Sequence, residues 1–279
     1  MPLLLESLAA LEKPTYAQVN EAIEDLHYDI EPTDPVAPLS GPIRVALDSA
    51  FSQESVEGII ATLQSFVAND TGVDVVQWAK DTLAILEGRS PTSLKIALMA
   101  IRKGKSLDLL ESFKMELGIA TAFCVSDSVD SFLYRYLTIS QHGASSDFHS
   151  GVTSVLVEKV ASPPAWSPAS LDKVDAASLE ASFFGPHENL PQLLLPDALR
   201  KKHPPPASFL RYGLPSEDEL QALIEGRHPS SGSGALTLQE LITKAEGLRG
   251  GKRGVAGKVK EVVTRRCTID KDGYLQWRH

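Results

Sequence analysis

GLRGGKRGVAGK, residues 247–258, interleaves five glycines with four lysines and arginines. Phosphate-binding loops use the same mixture, because glycine lets backbone N–H groups close on an anion while a cation neutralises it. The stretch nevertheless follows a helical pattern rather than a strand, and it misses the GxxxxGK[ST] spacing. It does not read as a nucleotide site. Asp270 and Asp272 before Gly273 resemble the start of a calcium loop, but the third ligand position holds Tyr274 and no Glu closes the set. A plain turn fits better. Of the seven histidines none clusters at metal-ligand spacing. His149, in DFHSG, opens an apolar helix or strand and reads as a surface or capping residue. Glu111 and Glu116 share a helical stretch but stand five apart, off a common face. GxGxxG, HExxH and GxSxG are absent. No catalytic or metal-binding residue follows from motifs.

The chain that must position any such residues has 279 positions, 43% hydrophobic and 6% aromatic. That composition supports a packed core in one or two domains. No run of eighteen apolar residues occurs, so no membrane span is expected. Cys124 and Cys267 lie far apart, which argues for a reducing compartment and against a disulfide or zinc framework. The opening MPLLLESLAALEKPT has the form of neither a signal peptide nor an Arg-rich transit peptide. The net charge of −9 is uneven: Lys244–His279 carries ten Lys/Arg against four Asp/Glu, leaving −15 for the remainder. A basic segment on an acidic body points to a polyanionic partner or to a solvated helix face. Lys252, Arg253, Lys258, Lys260, Arg265 and Arg266 are the candidate polyanion-binding residues.

Helical periodicity dominates the first half. Leu3, Leu4, Leu8 and Leu11 form a stripe over 2–12, and Pro14 ends it. Thr15 and Gln18 compose a capping box for a helix to Leu26. EPTDPVAPLSGP (31–42) reads as a loop because its prolines remove donors and fix φ. Val56, Ile59, Ile60, Leu63 and Phe66 mark the next helix, and 73–87 another. Ser90-Pro91 starts one that Gly104 stops, and a further helix runs from about Ser106 to Phe123. No βαβ alternation appears. SPPAWSPASL (162–171) is a Pro-rich connector. Helices are expected at 216–226 and 237–248, with HPSSGSG (228–234) a flexible linker between them, and a basic helix at 254–265. CTIDKDGYLQW alternates around Asp-Gly as a small hairpin.

SPTSLKIAL (90–98), LLESFKMELGIATAF (109–123) and DFHSGVTSVLVEKVASPPAWSPASL (147–171) together resemble the C-terminal half of the 3-hydroxyisobutyryl-CoA hydrolases, thioesterases of the crotonase superfamily acting in valine breakdown. The resemblance covers about 2–185. It implies a mainly α fold, the helical C-terminal portion of a crotonase-like α/β protein, followed over 186–279 by a helical tail, basic from 244, with a small terminal β-hairpin. It also implies a mitochondrial location and a CoA thioester as substrate, with no cofactor. The family's oxyanion hole and water-activating acids belong to a core that would precede this segment. No catalytic residue is therefore carried over, and the chain alone is expected to be inactive. Its partner would be that N-terminal core. In the enzyme reading Lys95 and Lys159 would approach the CoA phosphates.

VSDSVDSFLYRYLTISQ (125–141) interrupts the resemblance. Removing it leaves IATAFCHGASSDFHSGV, the short join that the family has. The segment begins Val-Ser, compatible with GTRAGT, and ends in Gln, compatible with CAG. Seventeen residues make 51 nucleotides in phase. A retained intron is the expectation. The tail from RYGLPSEDELQALI onward is similar to the fungal form of the family, which also occurs as a component of the mitochondrial small ribosomal subunit. That similarity implies a structural role through the basic tail as the alternative to hydrolysis.

Overall fold

The computed structural model describes residues 2–26, 39–124, 144–160, 162–185 and 211–278. Within these the chain is mainly helical and ends in a two-stranded antiparallel sheet. Two compact units are present. One joins residues 1–41 to 204–279, and the other is 42–203.

The 42–203 unit contains seven helices among the described residues: α1 to α7 here denote Gly41–Phe51, Val56–Ala68, Val73–Glu87, Pro91–Gly104, Leu109–Cys124, Asp147–Val152 and Ala176–Phe183. The first departs from the sequence pattern. Pro42 closes a proline-rich stretch that reads as a loop, but in a first helical turn its missing N–H costs nothing. The buried face of α1 is only Ala46 and Ala50, too small to register as a hydrophobic period. Ser55 caps α2 by accepting from the Gly58 N–H. Ile59 and Leu63 of α2, Ala50 of α1 and Ala79 of α3 form one buried cluster, with Phe66, Trp78, Leu83 and Leu86 packed on it. A second cluster unites Ile96 and Ala100 of α4, Ile119 and Ala122 of α5, and Leu179 and Phe183 of α7. Phe123 and Phe183 meet there with ring centroids 4.7 Å apart. Asp108 caps α5 reciprocally with Glu111, so the helix begins at Leu109 rather than at Ser106. A single π-helical turn, Thr153–Val157, extends α6. The segment 125–141 lies outside the described residues.

The other unit holds α8 (Pro2–Ala9), α9 (Tyr16–Glu24), α10 (Glu217–Ile224), α11 (Leu238–Leu248), α12 (Val255–Arg266), β1 (Cys267–Ile269) and β2 (Leu275–Trp277). The contact division therefore differs from a boundary at 185: the first two helices of the chain group with the last three. Thr15 and Gln18 form the expected capping box of α9, and Thr237 and Glu240 form another at α11. Leu220, Leu223, Leu236, Leu241, Ile242, Ala245, Val255, Val259, Val262, Val263, Cys267 and Leu275 make one core, every member of it from the C-terminal segment. HPSSGSG is not a free linker. Ser231 is buried, its hydroxyl donates to the Ala222 carbonyl at 3.2 Å, and it accepts from the His228 N–H. The hairpin pairs Cys267 with Trp277, Thr268 with Gln276 and Ile269 with Leu275. Gly273, at φ 88°, supplies the left-handed residue that its five-residue loop requires.

Candidate functional site

A buried polar node joins the sequence blocks around Ser90, Asp147 and Trp166. Asp147 is 2% exposed. Its carboxylate accepts from the Ser90 hydroxyl at 2.5 Å and from the Ser167 N–H at 2.8 Å. The same Ser90 oxygen accepts from the Ser93 N–H at 3.0 Å and so caps α4. Trp166 donates its indole N–H to the Gly88 carbonyl at 3.2 Å, while its ring covers Gly151, where an added Cβ would stand 3.4 Å from the indole. SPTS, DFHSG and WSP are thus three parts of one joint. Its chemistry is positional: buried polar groups with neutral donors fix geometry and leave the carboxylate no access to an attacking water. His149 lies exposed on α6, two residues from Asp147. Among the described residues no His, Cys, Asp or Glu group is arranged to hold a metal ion.

The two lysines assigned to CoA phosphates stand differently. Lys95 bridges Glu57 at 2.7 Å and donates to the Val174 carbonyl at 3.1 Å. Its bond to Glu57 holds that carboxyl below its ordinary value, against the opposing effect of burial. A phosphate at Lys95 would have to displace both partners. Lys159 is exposed, in left-handed backbone at φ 54°, just beyond the π turn, and has no partner among the described residues.

Most of the six cations proposed for polyanion binding turn out to be engaged within the protein. Arg265, its side chain 3% exposed, is held by Glu217 and Glu261. Arg266 also reaches Glu217, at 3.2 Å. Lys252 donates to Glu24 at 2.7 Å and to Asn20 at 2.9 Å with 7% of its side chain exposed. Arg253 donates to the Glu24 carbonyl at 2.8 Å, satisfying the C-terminal end of α9. The Gly-rich stretch is therefore a clamp on α9, and Gly250, Gly251 and Gly254 make its left-handed turns. Lys258 stands 3.7 Å from Glu261, and Lys260 is exposed with no acidic partner among the described residues. Arg265 is the main cause that brings the Glu217 carboxyl down to about 2, with burial opposing it. At Glu24 burial acts upward, and the bonds from Lys252 and Arg253 outweigh it. A charge count sees the cations but not their acids, because Glu24 and Glu217 are remote in sequence.

Sequence reasoning also missed a cation–aromatic stack. Tyr16 and Tyr212 stack at 5.0 Å, with the Arg211 guanidinium 5.1 Å and 4.9 Å from their respective ring centroids. The Tyr16 hydroxyl donates to the Arg211 carbonyl at 3.0 Å. Nothing in the spacing signals a contact between Tyr16 and a residue 195 positions later.

The chain belongs to the enoyl-CoA hydratase/isomerase family, whose model matches residues 1–183. Among individual proteins it is similar to the small ribosomal subunit protein mS47 of Neurospora crassa, 31% identical over 289 positions that cover 100% of this chain and 51% of that protein. It is also similar to the mitochondrial 3-hydroxyisobutyryl-CoA hydrolase of Homo sapiens, 30% identical over 183 residues, 66% of this chain and 40% of the enzyme. The mS47 protein of Arabidopsis thaliana is 29% identical over 161 residues, 56% of this chain and 34% of its own length. The chain thus spans about half the length of the first of these relatives and less of the others. No helix among the described residues is long and apolar enough to cross a membrane.

Proposed function

We propose that this chain is the C-terminal half of a crotonase-like protein of the mitochondrial small ribosomal subunit, attached there through its last seventy or so residues. One observation carries the reading. Similarity to the Neurospora ribosomal protein runs over the whole chain, whereas similarity to the human hydrolase covers two thirds. The segment 211–278 supports it by having its own core, as a docking module should. The test is sedimentation of the full-length parent protein with mitochondrial small subunits, with and without 211–278. Binding that survives the deletion refutes the role of this segment, and a parent protein that never sediments with the subunit refutes the reading.

A second reading has a specific observation in its favour. Two of the three blocks that resemble the 3-hydroxyisobutyryl-CoA hydrolases meet in the Ser90–Asp147–Ser167 joint, which supports their serving one packed unit. In this reading the parent protein hydrolyses the CoA thioester of 3-hydroxyisobutyrate, with the CoA ester as substrate rather than cofactor. The catalytic groups come from an N-terminal core, and Lys159 is better placed than Lys95 to meet a phosphate. Thiol release from 3-hydroxyisobutyryl-CoA by the full-length protein tests it, and no turnover above the uncatalysed rate would exclude it.

A further inference from the structure

In the C-terminal segment α10 is followed by a short extended stretch at Leu236–Thr237, then α11, a turn, α12, and the β1–β2 hairpin. The extended stretch pairs with the hairpin: Thr237 bridges Tyr274 antiparallel, and the Leu275 N–H donates to the Leu236 carbonyl at 2.8 Å. The sheet order is thus the Leu236 stretch, β2, β1. Helix, strand, helix, turn, helix and two-stranded wing in this order is the topology of a winged helix-turn-helix. In such a unit the third helix is the one presented to a nucleic acid groove.

The third helix here is α12, and its two sides differ sharply. Val255, Val259, Val262 and Val263 are buried in the core. Gly257, Lys260 and Thr264 form an exposed stripe at helical spacing on the other side. Glu261 is the only acid on the helix, and Arg265 and Lys258 neutralise it. The hairpin tip adds Lys271, and the end of β2 adds Arg278, whose N–H donates to the Arg266 carbonyl at 2.8 Å. Lys271 and Arg278 are exposed, with no ion-pair partner among the described residues. Gly257 supplies an independent indication. It lies in the first turn of α12, and a Cβ built on it meets nothing within 4 Å among the described residues. Its backbone is not left-handed, so neither packing nor conformation inside the protein calls for glycine there. A glycine there leaves the outer face of the first turn open to close approach by another backbone.

We propose that residues 211–278 form a winged helix-turn-helix unit whose α12 face, centred on Gly257, Lys260 and Thr264 and flanked by the Lys271 wing, docks a nucleic acid duplex, an RNA stem if the ribosomal reading holds. The inference deepens that reading and rests on it for the kind of nucleic acid. Within the unit the cations fall into two groups. Arg249 (on Glu219), Lys252, Arg253, Arg265 and Arg266 hold the scaffold, while Lys260 and Lys271 face outward.

The test uses the whole chain and a fluorescein-labelled RNA hairpin of about 20 base pairs, read by anisotropy at several salt concentrations. Lys260→Glu should weaken binding at least tenfold, and Lys260→Ala should reduce the salt slope by about one. Gly257→Ala is the discriminating variant, expected to raise the melting temperature while it weakens the duplex complex, which a purely structural glycine would not do. Wild-type protein that binds no duplex at low salt overturns the proposal, as does unchanged affinity in all three variants. Sedimentation with the small subunit separates this failure from failure of the ribosomal reading. If the wild type sediments but binds no duplex, and Lys260→Glu abolishes sedimentation, the α12 face docks a protein and the duplex proposal is wrong. If the wild type binds the duplex but does not sediment, the face stands and the ribosomal reading falls.

Discussion

Deleting Val125–Gln141 should stabilise the 42–203 unit. The Ala144 N–H donates to the Ala122 carbonyl at 2.8 Å, so the chain after the segment begins against the last turn of α5. Nineteen residues, 125–143, separate the two described ends. After the deletion only His142 and Gly143 would remain between Cys124 and Ala144. The Ala144–Ala122 bond then spans six residues and becomes the outer bond of a Schellman cap, with Gly143 at the left-handed position where glycine is preferred. Shortening the connection from nineteen residues to two lowers the loop-closure cost by about 2 kcal/mol. For a unit of this size that corresponds to a rise of about 4–8 °C in melting temperature. Differential scanning calorimetry of the two chains, with far-ultraviolet circular dichroism for helix content, reads the difference. A lower melting temperature, or loss of helix on deletion, would show that 125–141 contributes to the core and would refute the reasoning.

Asp147→Ala should cost about 2–4 kcal/mol, because it strands the buried Ser90 hydroxyl and the Ser167 N–H together; chemical denaturation measures it, and a loss below about 1 kcal/mol would mean that water replaces the carboxylate. Glu217, lowered from 4.5 to about 2, should contribute stability that is complete above pH 4.5 and disappears as the pH falls toward 2. Glu217→Gln should flatten that acid limb in a pH series of melting temperatures, and an unchanged limb would contradict the assignment. Lys95→Met should leave Glu57 without its main partner, moving the Glu57 titration upward in carboxyl-resolved NMR, whereas no movement would free Lys95 for a ligand.

Much of the fold was legible because its signals are local. Thr15 with Gln18, Ser90 with Pro91, and the 3.6-residue period through Ile59 and Leu63 each specify an element from a few neighbouring residues. The helix at Gly41–Phe51 escaped because its buried face is alanine, and the pinned turn at Ser231 because serine and glycine read as a linker by composition. The node at Asp147 was half legible. Its blocks were recognisable as a resemblance, but that Ser90 and Asp147 meet across 57 positions is a property of packing alone. The charge reading saw only one side of the pairing: counting Lys and Arg along 244–279 finds the cations but not Glu217, Glu219 and Glu24, which pair with five of them.

The family match and the compact units divide the chain at different places, and the difference bears on how the C-terminal segment is held. The match runs over residues 1–183, so α8 and α9 belong to it by sequence. By contact they belong with 204–279. Every buried member of the C-terminal core comes from that segment itself, so α8 and α9 are not needed to fill it. Among the described residues they are joined to it by polar and aromatic contacts: Lys252 and Arg253 on Glu24, Lys252 on Asn20, and Tyr16 stacked on Tyr212 with Arg211 beside both rings. A self-sufficient core fastened by charge-assisted bonds can accompany a family scaffold without repacking it, since hydrophobic complementarity is demanded only inside the core. The buried lysine sets the strength of that attachment. Removing Glu24 would leave Lys252 desolvated and short of its anion, a larger loss than an exposed bridge would give. The clamp at GGKRG is therefore the point where the C-terminal segment depends on the family portion of the chain, and the α12 stripe beyond it remains turned to solvent.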